Sequence, residues 1–302
     1  MSRLVMKFGG TSVANIERIR SVALRVKREV DSGRQVAVVV SAMSGKTNEL
    51  VGWCKELSAL HDWREYDLVV SSGELVTSGL LAIALQTLGV PARSWAGWQL
   101  PIRTTDMHGS AAIKEVVTDK LIASLDKGEV AVIAGFQGLA ADDRISTLGR
   151  GGSDTSAVAV AAALMAERCD IYTDVDGVYT TDPRIVPRAK KIPKIAYEEM
   201  LELASVGARE SLMICAPVLA LAMVLLSNSE MIAPAKPTTS ENTSSPPTFK
   251  PLASSQRFRP NRLMTMPSTT ITARLVITNS MILFMAQASV QTANRMGTVG
   301  RN

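Results

Sequence analysis

The chain has 302 residues and a net charge of +5, a length that fits one large domain or two small ones. The charge is uneven: residues 211–302 carry eight basic and two acidic residues (+6), whereas residues 1–210 sum to −1. The basic isoelectric point therefore belongs to the tail, and the near-neutral first part argues against a nucleic-acid-binding domain. The three cysteines are scattered, odd in number and free of any CxxC pair, which argues against a disulfide framework or a zinc site.

The amino terminus lacks the pattern of a signal peptide, because Lys7 and Gly9 interrupt the first apolar run after a few residues. We therefore expect a cytoplasmic protein. A later apolar run, 212–226, contains Pro217 and is shorter than the roughly 20 residues that a membrane span needs. An irregular apolar segment is favoured there over a membrane anchor.

Residues 1–207 alternate apolar runs of strand length with helical patterns. Strands are predicted at 4–8, 36–40, 130–134 and 171–173. Helices are predicted at 16–30, 75–88, 110–125 and 154–166, the first with Asn15 as its N-cap and Gly33 beyond its end. This order and the Val-rich strands predict an α/β fold with a largely parallel sheet sandwiched by helices. Ligands of such sheets bind at the carboxyl ends of strands, where the Gly, Ser, Thr and Asp clusters of this chain fall.

The first of these clusters is Lys7-Phe8-Gly9-Gly10-Thr11-Ser12, after the first predicted strand. Glycines at a strand end let backbone N–H groups approach a polyphosphate, and a lysine supplies a point charge. The lysine precedes the glycines, which is not the order of a Walker A loop. Taken alone, the motif fits an ordinary tight strand-to-helix connection better than a phosphate site.

Two further clusters are ambiguous. The run 41–47 ends in Ser44-Gly45-Lys46-Thr47, like a Walker A loop, but Val40 stands where the first glycine would be required, so this interpretation is rejected. Small hydroxyl residues there could bind a phosphate or a carboxylate, or form a plain turn. Glu74 precedes the helix predicted at 75–88, where it could cap that helix together with Ser71 or receive the ammonium group of an amino acid. Capping is the favoured interpretation for this residue alone.

The strongest cluster is 147–155, with three glycines, Arg150, Ser153 and Asp154 before a helix of small residues. An arginine can clamp a carboxylate with two hydrogen bonds, and glycines at a helix N-terminus expose N–H donors to anions. Asp154 could orient a lysine or an ammonium group. The run 172–184 either forms turns at Asp-Gly and Asp-Pro or offers an aromatic ring, hydroxyls and Arg184 to a nucleotide.

The motifs KFGGTSV, SAM, SSGE, TLGRGGSD and YTDVDGVYTTDPR, in this order, closely resemble those of the aspartate kinases of the amino-acid kinase family over residues 2–209. The resemblance implies transfer of the γ-phosphoryl group of ATP to the side-chain carboxylate of L-aspartate, the first step of lysine, methionine and threonine biosynthesis. It implies ATP and Mg²⁺ as cofactors, with the ion held mostly by phosphates and water and no metal site of the chain's own, and a homo-oligomer. Alternatives are an acetylglutamate, glutamate or uridylate kinase, or an inactive fragment that binds nucleotide or pairs with intact subunits.

The same resemblance implies the site residues. Lys7 would stabilise the transition state as a catalytic residue, and Asp154 would orient Lys7. The residues implied in ATP binding are Lys7, Phe8, Gly9, Gly10, Thr173, Asp174, Tyr179, Arg184 and Arg209, with Thr11 near the phosphates. The residues implied in binding aspartate are Ser41, Thr47, Glu74, Arg150, Gly151, Gly152, Ser153 and Asp154. Arg209 departs from the family, which usually has a lysine there.

The composition changes near residue 210. Aspartate disappears, and 22 of the final 92 residues are Ser or Thr. We therefore predict a catalytic domain at 1–209 that is incomplete at its C-terminal end, followed by an atypical, mostly irregular tail at 210–302. Nothing in that tail resembles the regulatory ACT domains of the family.

Translation in a shifted reading frame would explain this tail, and a genuine unusual tail is the alternative. Translating the underlying DNA in its other frames decides between them: a shifted frame predicts an ACT-like sequence there, and a genuine tail does not. Loss of the family's last strand is expected to leave a sheet edge uncovered. Weak activity and absence of end-product inhibition are expected as well.

Overall fold

A computed structural model describes residues 2–100, 102–149, 151–174, 178–181, 186–192 and 273–278. The chain divides into two units, Met1–Met231 with Ile271–Asn302, and Ile232–Thr270. All described residues belong to the first unit. The described helices are α1 Ile16–Asp31, α2 Lys46–Leu57, α3 Trp63–Thr87, α4 Asp119–Asp126 and α5 Gly152–Ala163, with a short 3-10 helix at Gly10–Val13. The described strands are β1 Arg3–Phe8, β2 Gln35–Val40, β3 Ala92–Trp95, β4 Ile102–Thr104, β5 Ile113–Val116, β6 Val130–Ala134, β7 Gln137–Leu139, β8 Ile145–Thr147, β9 Arg168–Thr173, β10 Val178–Tyr179, β11 Lys191–Ile192 and β12 Ala273–Thr278.

The main sheet has six strands in the order β12-β9-β1-β2-β6-β3. All neighbours in it pair in parallel except β12, which is antiparallel to β9. A second sheet has the order β5-β4-β7-β8, and β10 pairs with β11. The parallel sheet with helices on both faces confirms the predicted fold class.

The two faces of the main sheet are covered by different helices. Leu4, Met6 and Phe8 of β1 pack in one core with residues of α1 and α3, and Val5 packs in the other with residues of α4 and α5. Successive side chains of a strand point to opposite faces. Lys7 therefore leaves β1 on the same face as Val5, toward α5, at the carboxyl end of the strand.

Helix α3 is long and apolar enough to cross a membrane by length and composition. Its Leu81 and Leu85 are fully buried in the core against the sheet. In this fold it is a core helix, and its length carries residues from one end of the domain to the other.

The predicted strands at 4–8, 36–40 and 130–134 are confirmed as β1, β2 and β6, and the prediction at 171–173 is the last part of β9. The start of α1 is also confirmed, because the Asn15 side chain accepts a hydrogen bond from the Arg18 backbone N–H at 2.9 Å. Gly33 follows this helix with a φ of 84°. The helix predicted at 154–166 is α5, which begins two residues earlier.

Two helix predictions are wrong. The helix predicted at 75–88 begins at Trp63, so Glu74 lies inside α3 and neither it nor Ser71 caps the helix. The Ser71 hydroxyl instead donates to the Leu68 carbonyl within the helix. The helix predicted at 110–125 is strand β5 followed by the short helix α4. Its apolar spacing fits a helix, but pairing of β5 with β4 decides the local structure.

The expectation of an uncovered sheet edge is also wrong. Strand β12, from the predicted irregular tail, pairs along the whole of β9, from Ala273 opposite Thr173 to Thr278 opposite Arg168. These six tail residues satisfy backbone groups of β9 that an open edge would expose. The rest of the tail, and the predicted boundary at residue 210, lie outside the described residues.

Candidate functional site

The centre of the site is an ion pair between β1 and α5. Lys7 Nζ lies 2.7 Å from Asp154 Oδ1, and both side chains are less than a tenth exposed. Lys7 comes from the carboxyl end of β1 and Asp154 from the first turn of α5, so the fold itself brings the two predicted catalytic residues together. Such a buried ion pair holds a positive charge in a fixed place.

The loop after β1 is built tightly against the loop after β2. The Ser41 backbone N–H donates to the Phe8 carbonyl at 3.1 Å, and the Gly9 N–H donates to the Tyr172 carbonyl at 3.2 Å. A Cβ atom at Gly10 would lie 2.9 Å from the carbonyl oxygen of Ala42. Glycine is therefore required at this position by space alone. The backbone after β1 is held within a rigid frame of three strand ends.

Replacing Gly10 with alanine is expected to lower the free energy of unfolding by about 1 to 3 kcal/mol, the usual cost of overpacking. Gly9→Ala is the matched control, because its Cβ would meet Lys7 Nζ and the Tyr172 carbonyl only at 3.5 Å, an ordinary contact. Urea denaturation of both variants measures the difference. Equal stability of the two variants would contradict the tight contact at Gly10.

Glu74 reaches the same region from the middle of α3. Its Oε1 accepts a hydrogen bond from the Ala42 backbone N–H at 3.0 Å, and the residue is 3% exposed. Its other oxygen, Oε2, is buried and has no hydrogen-bond partner among the described residues. Burial raises the pKa of Glu74 to about 7, although the Ala42 N–H and the charge of Lys7 oppose the increase. A carboxylate oxygen without a donor, close to a lysine, is suited to receive a cationic group of a ligand.

The amino end of α5 is shaped by a strained residue. Phe136, after β6, has a φ of 68°, a conformation that costs a non-glycine residue energy. Its N–H donates to Ser156 Oγ at 3.1 Å, and its ring leaves no room for a Cβ at Gly152, which would lie 2.7 Å from Phe136 Cδ2. Asp154 lies in the first turn of α5 and contacts Lys7, so the partial positive charge of this helix N-terminus lies close to Lys7.

The remaining predicted residues occupy different positions. Phe8 is fully buried, and its ring stacks on Tyr172 with centroids 4.6 Å apart, so it supports the loop after β1 from the core. Thr47 is half-buried at the start of α2. Thr173 ends β9, and its hydroxyl donates to Asp174 Oδ1 at 3.3 Å. Tyr179 is half-buried on β10.

Three predicted residues, Arg150, Arg184 and Arg209, lie outside the described residues. The structure brings together Lys7, Gly9 and Asp154, and it brings Glu74 to the loop that begins at Ser41. Gly151, Gly152 and Ser153 lie at the start of α5, beside Asp154. The nucleotide-binding role of Thr173, Asp174 and Tyr179 stays a prediction.

The sequence analysis missed two polar residues that support the site. Asp67 is fully buried, and it accepts hydrogen bonds from the Thr147 hydroxyl and the Gly109 N–H. Gln137 is also fully buried and joins Gly97 to the Ser71 carbonyl. Asp67 lies outside every recognisable motif, and an acidic residue in a helical pattern ordinarily indicates a solvated face. No signal in a single sequence distinguishes it.

In chemical terms the site combines a fixed cation, a helix N-terminus and a buried carboxylate with a free oxygen. The first two can stabilise negative charge that develops on a transferred group. The third can bind an ammonium group. Among the described residues no three His, Cys, Asp or Glu side chains come together as a metal site.

Residues 2–222 match the profile of the amino acid kinase family. The chain is 53% identical over 212 residues to an aspartokinase of Rickettsia conorii, which covers 69% of this chain and 53% of the relative. The chain thus spans about half the length of the curated relatives it matches.

Two solved structures are similar as well. The aspartate kinase from Synechocystis superposes with a TM-score of 0.63 at 47% identity, covering 73% of this chain and 36% of the other. E. coli aspartokinase III in complex with aspartate and ADP gives a TM-score of 0.63 at 31% identity, covering 72% of this chain and 58% of the other.

Proposed function

This chain belongs to the amino acid kinase family, and on that basis we propose that it transfers the γ-phosphoryl group of ATP to the side-chain carboxylate of L-aspartate. The product would be 4-phospho-L-aspartate. The observation that carries the proposal is the buried Lys7–Asp154 pair, with the unpartnered oxygen of Glu74 nearby. The similarity to aspartokinases, one of them solved with aspartate and ADP, supports this acceptor over others of the family.

The acceptor carboxylate needs no general base. An aspartate side chain has a pKa near 3.9, so it is already an anionic nucleophile at neutral pH. Catalysis then consists of positioning and charge neutralisation. Lys7 would stabilise the negative charge on the oxygens of the transferred group. Asp154 would hold the Lys7 ammonium at the end of β1, so that it does not have to reorganise during the reaction.

The N-terminus of α5, which also carries Asp154, would add its partial positive charge to that of Lys7. Gly151, Gly152 and Ser153 stand at the start of this helix, where backbone N–H groups bind anions. Gly9 and Gly10 would let the nucleotide phosphates approach the loop after β1. Thr173, Asp174, Tyr179, Arg184 and Arg209 complete the proposed nucleotide site, and Ser41, Thr47 and Arg150 complete the proposed aspartate site.

Mg²⁺ would enter as its complex with ATP. Such ions are usually held by substrate phosphates, water and one or two carboxylates rather than by a protein cage. Among the described residues no three His, Cys, Asp or Glu side chains come together to hold the ion, so its ligands would come chiefly from ATP and water. When bound, the ion would neutralise phosphate charge. We also propose a cytoplasmic location and a homo-oligomer, the latter in keeping with the family.

A direct assay tests the proposed function. ADP release by the purified full chain is followed with ATP, Mg²⁺ and L-aspartate, with and without hydroxylamine to trap the acyl phosphate. We expect release that depends on L-aspartate and a hydroxamate product. L-Glutamate, N-acetyl-L-glutamate and UMP serve as alternative acceptors. A folded chain that releases ADP only with one of these, or with none, would contradict the proposal.

Glu74 predicts a pH dependence of acceptor binding. Its pKa of about 7 leaves it largely neutral at pH 6 and largely ionised at pH 8. Because only the ionised form attracts the acceptor ammonium group, we expect the KM for L-aspartate to fall about tenfold between these pH values. Steady-state kinetics of the chain and of Glu74→Gln measure it, and the dependence should disappear in the variant.

The same group affects the stability of the unliganded protein. The folded-state pKa is raised above the ordinary value of 4.5, so the folded chain binds more protons than the unfolded chain between these values. The contribution of Glu74 to stability is therefore fully present below pH 4.5 and is lost as the pH rises through about 7. Denaturation of the Glu74→Gln variant should lack this component.

A further inference from the structure

A second buried carboxylate lies on the same helix as Glu74. Asp67 is fully buried in the first turns of α3, and both of its oxygens are used. Oδ1 accepts from the Thr147 hydroxyl at 2.6 Å and from the Gly109 N–H at 3.0 Å, and Oδ2 lies 2.7 Å from His108 Nδ1. Asp67 thus joins α3 to two other segments that are distant in sequence.

Those two segments are also joined to each other. The Ala111 N–H donates to the Thr147 carbonyl at 2.8 Å, and a Cβ at Gly149 would lie 3.4 Å from Ser110 Oγ. Thr147 ends β8 and begins the segment 147–149, which precedes α5 and Asp154. The position of that segment therefore depends on the loop between β4 and β5, and Asp67 holds both.

Helix α3 sets the distance between Asp67 and Glu74. The two carboxylates are seven residues apart, which is about two turns and roughly 10 Å along one face of an α-helix. Between them, the Ser71 carbonyl accepts a hydrogen bond from Gln137 Nε2 at 3.2 Å. One rigid helix face thus contacts the segment 147–149 at one end and the proposed ammonium site at the other.

The first turn of α3 also packs against Gly109, one of the partners of Asp67. The Trp63 ring fills the space beside Gly109, where a Cβ would lie 2.7 Å from Trp63 Cε3. Glu65, in the same turn, forms an ion pair with Arg144 just before β8. These contacts hold α3 to the second sheet at the place where the segment 147–149 leaves it.

We propose that Asp67, together with His108, is a positioning residue for the acceptor. It fixes the segment 147–149 at a set distance from Glu74, so that the start of α5, with Gly151 and Gly152, and the Glu74 carboxylate keep the separation that suits the two ends of a small amino acid. This inference rests on the proposed function only in the identity of the acceptor. Asp67 has no part in binding the nucleotide, since none of its partners belongs to the loop after β1 or to β9.

Asp67→Asn tests the proposal with little change of shape. The Asn oxygen can still accept from Thr147 and Gly109, but the hydrogen bonds lose the charge that strengthens them. We expect the KM for L-aspartate to rise at least tenfold and the KM for ATP to change less than twofold. Asp62→Asn is the matched control, because the Asp62 side chain caps the same helix and its recorded hydrogen bonds all go to Arg64. The control should leave both KM values unchanged.

A second pair of variants tests the same contact if Asp67→Asn does not fold. His108→Ala removes one of the two partners of Asp67 Oδ2, the other being the Gly109 N–H, whereas His108→Asn places a donor near the position of Nδ1. We expect the alanine variant to raise the KM for L-aspartate and the asparagine variant to restore much of the loss. Equal effects of both, or equal effects on both substrates, would overturn the proposal.

Amide hydrogen exchange supplies a readout that is independent of activity. In Asp67→Asn, protection should fall at 147–149 and at Gly109, while β1 and β2 keep theirs. A lower melting temperature without this local change would show a merely structural role and refute the inference. If the unmodified chain does not use L-aspartate, the proposed function fails, but the exchange pattern still decides whether Asp67 holds the segment.

Discussion

Lys7→Met should lower kcat by about two to three orders of magnitude, the usual cost of removing one group that stabilises a developing negative charge. The effect should fall on kcat more than on the KM of either substrate, because Lys7 acts on the charge that forms during transfer. Methionine keeps the unbranched apolar stem and removes the ammonium group, with its charge and its three N–H donors. Steady-state kinetics with ADP release as the signal measure the change.

Stability must be separated from catalysis in this variant. Lys7 and Asp154 are buried together, and loss of one partner leaves an uncompensated carboxylate that costs about 3 to 5 kcal/mol. The double variant Lys7→Met with Asp154→Asn removes that charge and should recover stability without recovering activity. Lys46→Met is the control for loss of a lysine, because Lys46 pairs with Glu49 in a partly exposed ion pair. Activity of Lys7→Met near that of this control would refute the role of Lys7.

The second large effect is expected at Glu74. Glu74→Gln should raise the KM for L-aspartate by about tenfold to a hundredfold, since a hydrogen bond to a charged group contributes about 1.5 to 3 kcal/mol. The glutamine oxygen can still accept from the Ala42 N–H, so the loop after β2 should stay in place. The KM for ATP should hardly change. Kinetics with each substrate varied in turn test both statements.

Glu49→Gln provides the comparison for Glu74→Gln. Glu49 lies on α2, near the same loop, but is exposed. It should behave like the unmodified chain. If Glu74→Gln left the KM for L-aspartate unchanged, the free oxygen of Glu74 would have another purpose, and the acceptor would have to bind elsewhere.

Sequence predictions agree with the structure where burial or a local interaction produces both the residue pattern and the element. The strands at β1, β2 and β6 are buried on both faces, so their apolar runs are unmistakable, and the side-chain cap at Asn15 is a local interaction. Lys7 and Asp154 were paired through the family resemblance, and the strand-to-helix order of the sheet confirms their contact.

The errors have a different origin. The start of helix α3 was predicted too late in the sequence. The exposed Leu68 and Val69 and the buried Asp67 break the helical pattern in its first half. Strand β5 was mistaken for helix because its partner β4 is supplied by tertiary structure. Asp67 and Gln137 are polar residues buried by long-range contacts, and a single sequence carries no trace of those contacts.

The pairing of β12 with β9 has a consequence for the time course of synthesis. Ala273 lies opposite Thr173, so β9 is complete on the ribosome about 100 residues before its partner strand emerges. At about 5 to 20 residues per second, this interval lasts on the order of 5 to 20 s. Throughout it, β9 presents an unpaired edge to other nascent chains. The yield of soluble protein should therefore depend on expression rate, and slower expression at lower chain concentration should favour pairing of β9 within its own chain.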